Sequence, residues 1–370
     1  MSLKEIFCQD KAIDILQRAF AADRVPHAYI FAGPEGVGKS ETACRWAKLL
    51  LCEKPVMENG FTDSCGLCKS CRLLDAGSHP DFNSVYKELL EFTKDNQNKK
   101  TPVEFAIDVV REFVIAKVSN KPTLSLRKVF VLSETEKLNN ESQNCLLKVL
   151  EEPPEYCCII LLCTRLERLL PTVRSRCQII RFSPIAEEKI IDKLKQFGLE
   201  ESKARYFARL AQGSLGQGCK LAQLELADTG LYETKKGLVN SLAEYQYSDA
   251  LDMAEQLLAV SKKIAAAWAD IDKATSRTDI NRKAAGIIVR IIVSALHDAM
   301  KLGIMPQTDL INFDQPRQLK KLTERFDAEK SAEKIIDCYR TLRWIDSAVN
   351  EKLIFEQLLL NLAVSDKIQF

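Results

Sequence analysis

The sequence contains no long apolar run. Nothing in its 370 residues approaches the roughly 20 consecutive apolar residues that cross a bilayer, so no membrane span is expected. Met1-Ser2-Leu3-Lys4-Glu5 carries an acid and opens no apolar stretch, so no secretory signal is expected there. An excess of either charge is lacking too: 53 basic residues against 51 acidic ones leave a formal charge of +2. Any nucleic-acid contact must then come from a local patch. Internal repeats and low-complexity tracts are absent. A disulfide framework is not expected, because the 13 cysteines are odd in number and scattered among helix-like and strand-like segments. That usage points to a reducing, cytoplasmic compartment.

What is present reads as a soluble globular chain, 46% hydrophobic and 28% charged, long enough for two or three domains. Proline use changes along it. Ten of the 12 prolines lie at or before Pro184, and only Pro306 and Pro316 follow. Before that point, β-rich runs at 28–32, 129–132, 158–163 and 178–182 alternate with helical runs, the pattern of a parallel α/β sheet covered on both faces. After it, 186–227 reads as a small helical unit with a break at Gly213-Ser214-Leu215-Gly216, and 264–302 and 332–362 read as long amphipathic helices. The polar stretch 94–101 is expected to be an exposed loop. The expected division is 1–182, 183–235 and 236–370.

Gly33-Pro34-Glu35-Gly36-Val37-Gly38-Lys39-Ser40 matches GxxxxGK[ST] completely, between an apolar run and an amphipathic one that begins at Glu41. Glycines reach the backbone angles that turn successive N–H groups inward around phosphate oxygens. Lys39 is then expected to reach the β- and γ-phosphates, Ser40 to hold Mg²⁺, and the following helix to present its positive N-terminal end to the anion. ATP or ADP with Mg²⁺ is the expected ligand of residues 33–41; a Gly-rich strand-to-helix turn without a ligand is the plainer alternative.

Cys65-Gly66-Leu67-Cys68-Lys69-Ser70-Cys71 places three thiols at CxxCxxC spacing, which can converge on one tetrahedral ion. Cys52 is the nearest candidate for a fourth ligand and His79 the runner-up. An iron–sulfur cluster is the competing chemistry, but the CxxxCP run of bacterial ferredoxins is missing. Four thiolates leave no open coordination position, so one structural Zn²⁺ holding a module around 52–82 is expected.

A nucleotide site also needs an apolar strand ending in acid. Lys128-Val129-Phe130-Val131-Leu132 supplies the strand and Ser133-Glu134-Thr135-Glu136 follows. The usual first residue there is an Asp that helps position Mg²⁺, and here it is the neutral Ser133. Glu134 is a candidate to orient water as a base; a solvated charged turn is the plainer reading. Losing a carboxylate near the metal weakens the field on the phosphates, so binding is expected to survive where hydrolysis is slow.

The order Val25-Pro26-His27-Ala28-Tyr29, the phosphate loop, the four cysteines, His79-Pro80-Asp81, Leu146-Leu147-Lys148 to Glu151-Glu152-Pro153-Pro154 and the segment from Pro171 to Cys177 resembles bacterial DNA polymerase III clamp-loader subunits. The match is dense over 6–182 and is closest to the delta prime members, with gamma/tau second. The resemblance implies an AAA+ domain with an inserted zinc module, a helical lid and an all-helical collar that joins related subunits in a hetero-oligomeric ring. It also implies work with a sliding clamp and primed DNA, within a DNA-directed DNA polymerase assembly. Ser175-Arg176-Cys177 is similar to the family's SRC motif, so Arg176 is implied to reach a neighbour's γ-phosphate in trans. Thr164 falls at the family's sensor position. Gly216 stands where the motor subunits carry a second sensor arginine, which with Ser133 disfavours a gamma/tau motor. A zinc-containing nucleotide-binding scaffold unrelated to clamp loading is the reading from another class.

Overall fold

A computed structural model describes residues 2–93, 104–273, 275–305, 308–346 and 350–363; the polar stretch 94–101 lies outside them. The chain divides into two compact units, Met1–Ile185 and Ala186–Phe370.

The first unit is built on a parallel sheet. Its strands are β1 (Ala28–Ala32), β4 (Phe82–Val85), β5 (Lys128–Leu132), β6 (Cys157–Cys163) and β7 (Gln178–Arg181), and the order across the sheet is β4-β5-β6-β1-β7. A separate antiparallel hairpin, β2 (Val56–Glu58) with β3 (Phe61–Asp63), turns through Asn59 and Gly60, both with positive φ, the backbone that a tight hairpin demands. Every pairing in the large sheet is parallel. Such a sheet must be covered on both faces, and the residues obey that rule by strict alternation. Ala28, Ile30, Phe130, Leu132, Ile159 and Leu161 enter one core, while Tyr29, Phe31, Val129, Val131, Ile160 and Leu162 enter the other. Helices Asp10–Ala21 and Lys39–Leu51 close the second core through Leu16, Ala43, Trp46 and Leu50, and helix Asn140–Glu151 closes the first through Leu146, Val149 and Leu150.

The order creates a switch point. After β1 the chain goes to the far edge and returns through β5 and β6, then lays β7 on the other side of β1. Ligands of open parallel sheets bind at the C-terminal edge beside such a reversal, and the phosphate loop begins there.

The second unit, among its described residues, is helical throughout. Its first part carries helices Glu187–Gln196, Glu201–Leu210 and Leu215–Leu226; Gly213 takes φ 85 and Ser214 caps the third helix by accepting from the Gln217 amide at 3.2 Å. The single helix expected over 264–302 is in fact two, Ala250–Ile271 and Arg277–Ile304. The break falls on the polar stretch 272–276, where side chains cap the backbone. Asp272 accepts from the Thr275 amide at 3.3 Å and its hydroxyl at 2.9 Å, and Ser276 accepts from the Asp279 amide at 3.2 Å. Side chains of this type compete with the helix for its own backbone donors. The run 332–362 is divided likewise into Ala328–Asp346 and Glu351–Ala363. Among the described residues no helix is long and apolar enough to cross a membrane.

Gly33 is where the fold constrains the loop most tightly. A Cβ there would stand 2.4 Å from the backbone oxygen of Phe182, whose own amide donates to Ala32 O at 2.7 Å. Neither backbone can move without breaking β1–β7 pairing. Gly33→Ala should therefore destabilise the first unit by about 1–3 kcal/mol, the ordinary cost of overpacking, read as a lower urea midpoint with unchanged slope. An unaltered midpoint would show that this approach of β1 to β7 is not rigid.

Candidate phosphate and metal sites

The phosphate loop leaves β1 and enters helix Lys39–Leu51 through Gly36 at φ 73 and Gly38 at φ 99. Both angles lie where L side chains are strained. The loop is anchored on both flanks: Gly33 N–H donates to Cys163 O at 3.1 Å, and Gln9 Nε2 donates to Val37 O at 3.1 Å and to Ser183 O at 2.8 Å. Gln9 is buried and accepts the Ser183 amide in return at 3.2 Å. Nothing in its sequence context marks it, since it precedes its helix as an ordinary polar residue.

Lys39 is folded back on the loop. Its Nζ donates to Gly33 O at 2.7 Å and Pro34 O at 2.5 Å, the carbonyls that an incoming phosphate would replace as partners. Burial holds its ammonium below the usual lysine range, opposed by the carboxylates of Glu136 and Glu35. Ser40 and Glu41 are exposed in the first turn, and Glu41 pairs with Arg45 at 2.7 Å. Pro34 and Glu35 are exposed and Val37 is buried. The glycine angles, the exposed Ser40 hydroxyl and a lysine bonded to two loop carbonyls fit a Mg²⁺-nucleotide.

The acidic turn after β5 separates its two carboxylates. Glu134, in the left-handed region at φ 50, is bound to Lys137 at 2.6 Å and lies 3.5 Å from Lys87. Burial pushes its carboxyl up, but the hydrogen bond and charge of Lys137, with Lys87, overcome this and hold it below the usual carboxylate range. Glu136 turns to the end of β6. Thr164 Oγ1 donates to its Oε1 at 2.5 Å and the Thr164 amide to its Oε2 at 3.2 Å. The structure thus brings Thr164 to Glu136, not to Glu134. Ser133 N–H is spent on Val85 O at 2.9 Å.

Arg176 lies in the turn between helix Pro171–Arg174 and β7. Its guanidinium is half-exposed, pairs with Glu151 at 2.8 Å and donates to Thr172 O at 3.0 Å; no phosphate-loop residue is among these partners.

Cys52 follows helix Lys39–Leu51 directly, and Cys68 caps helix Lys69–Asp75. The sulfurs of Cys52, Cys65, Cys68 and Cys71 all lie within 4.8 Å of one another, with Cys52 Sγ 3.6 Å from Cys65 Sγ and 3.9 Å from Cys68 Sγ. Sulfurs at about 2.3 Å from a tetrahedral Zn²⁺ stand roughly 3.8 Å apart, so the cluster fits the ion. Amides of Cys65, Cys68 and Cys71 donate to Cys52, Cys65 and Cys68 sulfurs at 3.3, 3.3 and 3.4 Å, donors suited to thiolates. Without metal, burial pushes the Cys65 thiol up but the Leu67 and Cys68 amides and the neighbouring thiols bring it to about 6.

His79, the other candidate ligand, is used elsewhere. Its Nδ1 accepts the Asp81 amide at 3.1 Å, and its Nε2 lies 3.3 Å from Ser125 Oγ, which donates to Leu51 O at 3.0 Å. Asp81, fully buried, accepts the amides of Thr123, Leu124 and Ser125 at 2.6, 2.8 and 2.9 Å. His79-Pro80-Asp81 is therefore a brace for the 123–125 loop.

Residues 8–186 match the family described as DNA polymerase III, delta subunit, and residues 278–363 match DNA polymerase III, delta subunit, C terminal. Together these cover more than half of the chain. The delta' subunit of Pseudomonas aeruginosa is 38% identical over 151 residues, 41% of this chain and 41% of that protein. The tau subunit of Bacillus subtilis is 28% identical over 282 residues, 70% of this chain and 46% of that protein. Among solved structures, a gamma subunit-related protein of Thermotoga maritima is 16% identical with TM-score 0.42, covering 95% of this chain and 98% of that one. The chain spans about half the length of the first curated relatives it matches. With both delta-subunit domains present and relatives named delta', tau and gamma, the chain belongs to the family of DNA polymerase III clamp-loader subunits.

Proposed function

We propose that this chain is a delta prime-type clamp-loader subunit, working in the cytoplasm within a ring of related subunits that opens a sliding clamp and places it on primed DNA. The observation that carries the reading is the make-up of the acidic turn. An intact phosphate loop is combined with Ser133 in place of a metal-facing acid, and the candidate base Glu134 is tied to Lys137 and Lys87. Such a site is suited to binding ATP or ADP and poorly suited to hydrolysing it. A gamma/tau motor needs a free base, and here Lys137 and Lys87 hold Glu134. In this reading 1–182 is the AAA+ domain, 183–235 its lid and 236–370 the collar.

Arg176 is the residue through which this subunit contributes to chemistry. It stands half-exposed, held by one carboxylate and one carbonyl, contacts that an arginine can exchange for a neighbouring subunit's γ-phosphate. Thr164 serves as the sensor, and the four cysteines hold one Zn²⁺. Recovery of a clamp and related subunits in a pull-down supports the assignment; recovery of none favours an unrelated zinc scaffold.

Metal analysis of the purified chain should give one zinc per chain, lost in the Cys52→Ser/Cys68→Ser double variant. Chelation should lower Tm as well, because a four-thiolate site contributes binding energy to folding. Iron with sulfide, or zinc retained in the double variant, would overturn the assignment.

Arg176→Ala should leave fold, zinc content and nucleotide binding unchanged while lowering the ATPase rate of the reconstituted complex by about tenfold or more, a modest figure for an arginine finger. Lys39→Ala should abolish nucleotide binding to this subunit with a smaller effect on the complex. Turnover by the isolated chain should stay below the ~1 per second of ordinary enzymes. A complex carrying Arg176→Ala that assembles and turns over at the normal rate would refute the trans role.

A further inference from the structure

Glu136 has no part in the motif, yet the fold sets it at the end of β6, the strand beside β1 from which the loop leaves. The left-handed Glu134 reverses the chain after β5, and Thr135, fully buried, donates its hydroxyl to Leu162 O at 2.9 Å. That bond fixes the turn against β6. Glu136 is thereby set on Thr164, the residue after Cys163, with both carboxylate oxygens held at 2.5 and 3.2 Å. Cys163 is the β6 partner of Ala32, and its carbonyl accepts the Gly33 amide at 3.1 Å. Gly33 O in turn takes Lys39 Nζ at 2.7 Å. The carboxylate is therefore pinned at the same end of the sheet, one strand over from the first loop residue and the loop lysine, which feels its charge. Ser133 leaves that place without any acid from the usual position.

We propose that Glu136 supplies the negative charge at the metal edge of the phosphate loop that Ser133 lacks, and that it makes nucleotide binding at this site conditional on Mg²⁺. The proposal rests on the reading that the loop binds nucleotide. A free triphosphate and a fixed carboxylate repel each other across a partly desolvated site, whereas a divalent ion between them attracts both. Mg²⁺ and ATP are then positively coupled through one side chain. Coupling is reciprocal, so ATP must tighten Mg²⁺ by the same factor. The two hydrogen bonds accepted from Thr164 give the charge a fixed place; a mobile surface glutamate would swing away from the phosphates.

The test is ATP binding by calorimetry, with Mg²⁺ and with EDTA, to the full chain and to Glu136→Gln, which is isosteric and can still bond Thr164. Wild type should bind Mg²⁺-ATP far more tightly than ATP in EDTA. In Glu136→Gln the two affinities should converge by about tenfold or more, within the ordinary range of coupling: weaker with Mg²⁺, tighter without it. Thr164→Val, which frees one carboxylate oxygen, should give an intermediate ratio, and unchanged zinc content and Tm show that each variant folds. A Glu136→Gln protein with the wild-type ratio overturns this proposal alone, as does one whose two affinities rise together, since that is simple repulsion. Wild type that binds ATP under neither condition overturns both this and the nucleotide-binding reading.

Discussion

The hydrogen bonding of β1 on both edges is the constraint from which the rest of the first unit follows. Gly33 N–H is fixed to Cys163 O on one side, and Phe182 N–H to Ala32 O on the other. Both faces of the strand are buried, so the last residues of β1 have no freedom in any direction. The loop that leaves it begins from a fixed point and a fixed heading. Phosphate recognition by backbone amides depends on such a start, because a helix N-terminus attracts an anion only if the donors are already aimed. Gln9 adds a second anchor at Val37 and Ser183. The glycine at 33 is thus demanded by the neighbouring strand rather than by the ligand.

Much of this was legible in the sequence, and the reason is period. Strand β1 falls at the expected 28–32, and the other three expected strands differ from the observed ones by a residue at one end, because continuous apolar runs between breakers admit little else in a covered parallel sheet. The edge strand β4 escaped notice: Phe82-Asn83-Ser84-Val85 has neither the length nor the apolar continuity of its neighbours, and it is held in place by β5 alone. The hairpin β2–β3 escaped for a similar reason, though Asn59-Gly60 is a turn signal. In the second unit the polar stretch 272–276 breaks the expected helix, and the side chains of Asp272 and Ser276 cap the two ends of that break. Apolar period reports burial; it is blind to such local competition for backbone donors.

The candidate site was legible as a set of residue types and not as an arrangement. The sequence shows two acids two residues apart after β5, and nothing in their spacing says which one turns to the end of β6. Tertiary structure decides it: Lys87, from a segment more than 40 residues earlier, and Lys137 draw Glu134 away, while the end of β6 supplies the donors that hold Glu136. The same holds for the candidate metal ligands. Spacing alone left Cys52 and His79 as competitors; the fold uses His79 to accept from Asp81 and keeps Cys52 Sγ 3.6 Å from Cys65 Sγ.

One helix joins the two sites. Lys39 opens it and Cys52 follows its last residue, so the phosphate loop and the cysteine cluster stand at opposite ends of the 13 residues Lys39–Leu51. At 1.5 Å per residue that is about 20 Å, too far for a metal held by Cys52 to polarise a bound phosphate. The distance fits four thiolates, which leave no position for substrate. What the cluster can do instead is fix the far end of the helix: Cys52 caps it by donating to Leu49 O at 3.2 Å, and Ser125 bonds Leu51 O. The Ser125 hydroxyl also meets His79 and, at 3.1 Å, Ser70 on the helix that Cys68 begins. The cysteine cluster and the C-terminal end of this helix are therefore joined by one set of hydrogen bonds. A helix held at Leu51 O by Ser125, which is itself bonded to His79 and Ser70, keeps its N-terminal donors aimed at the loop, and the four clustered cysteines stand where they can hold that same end.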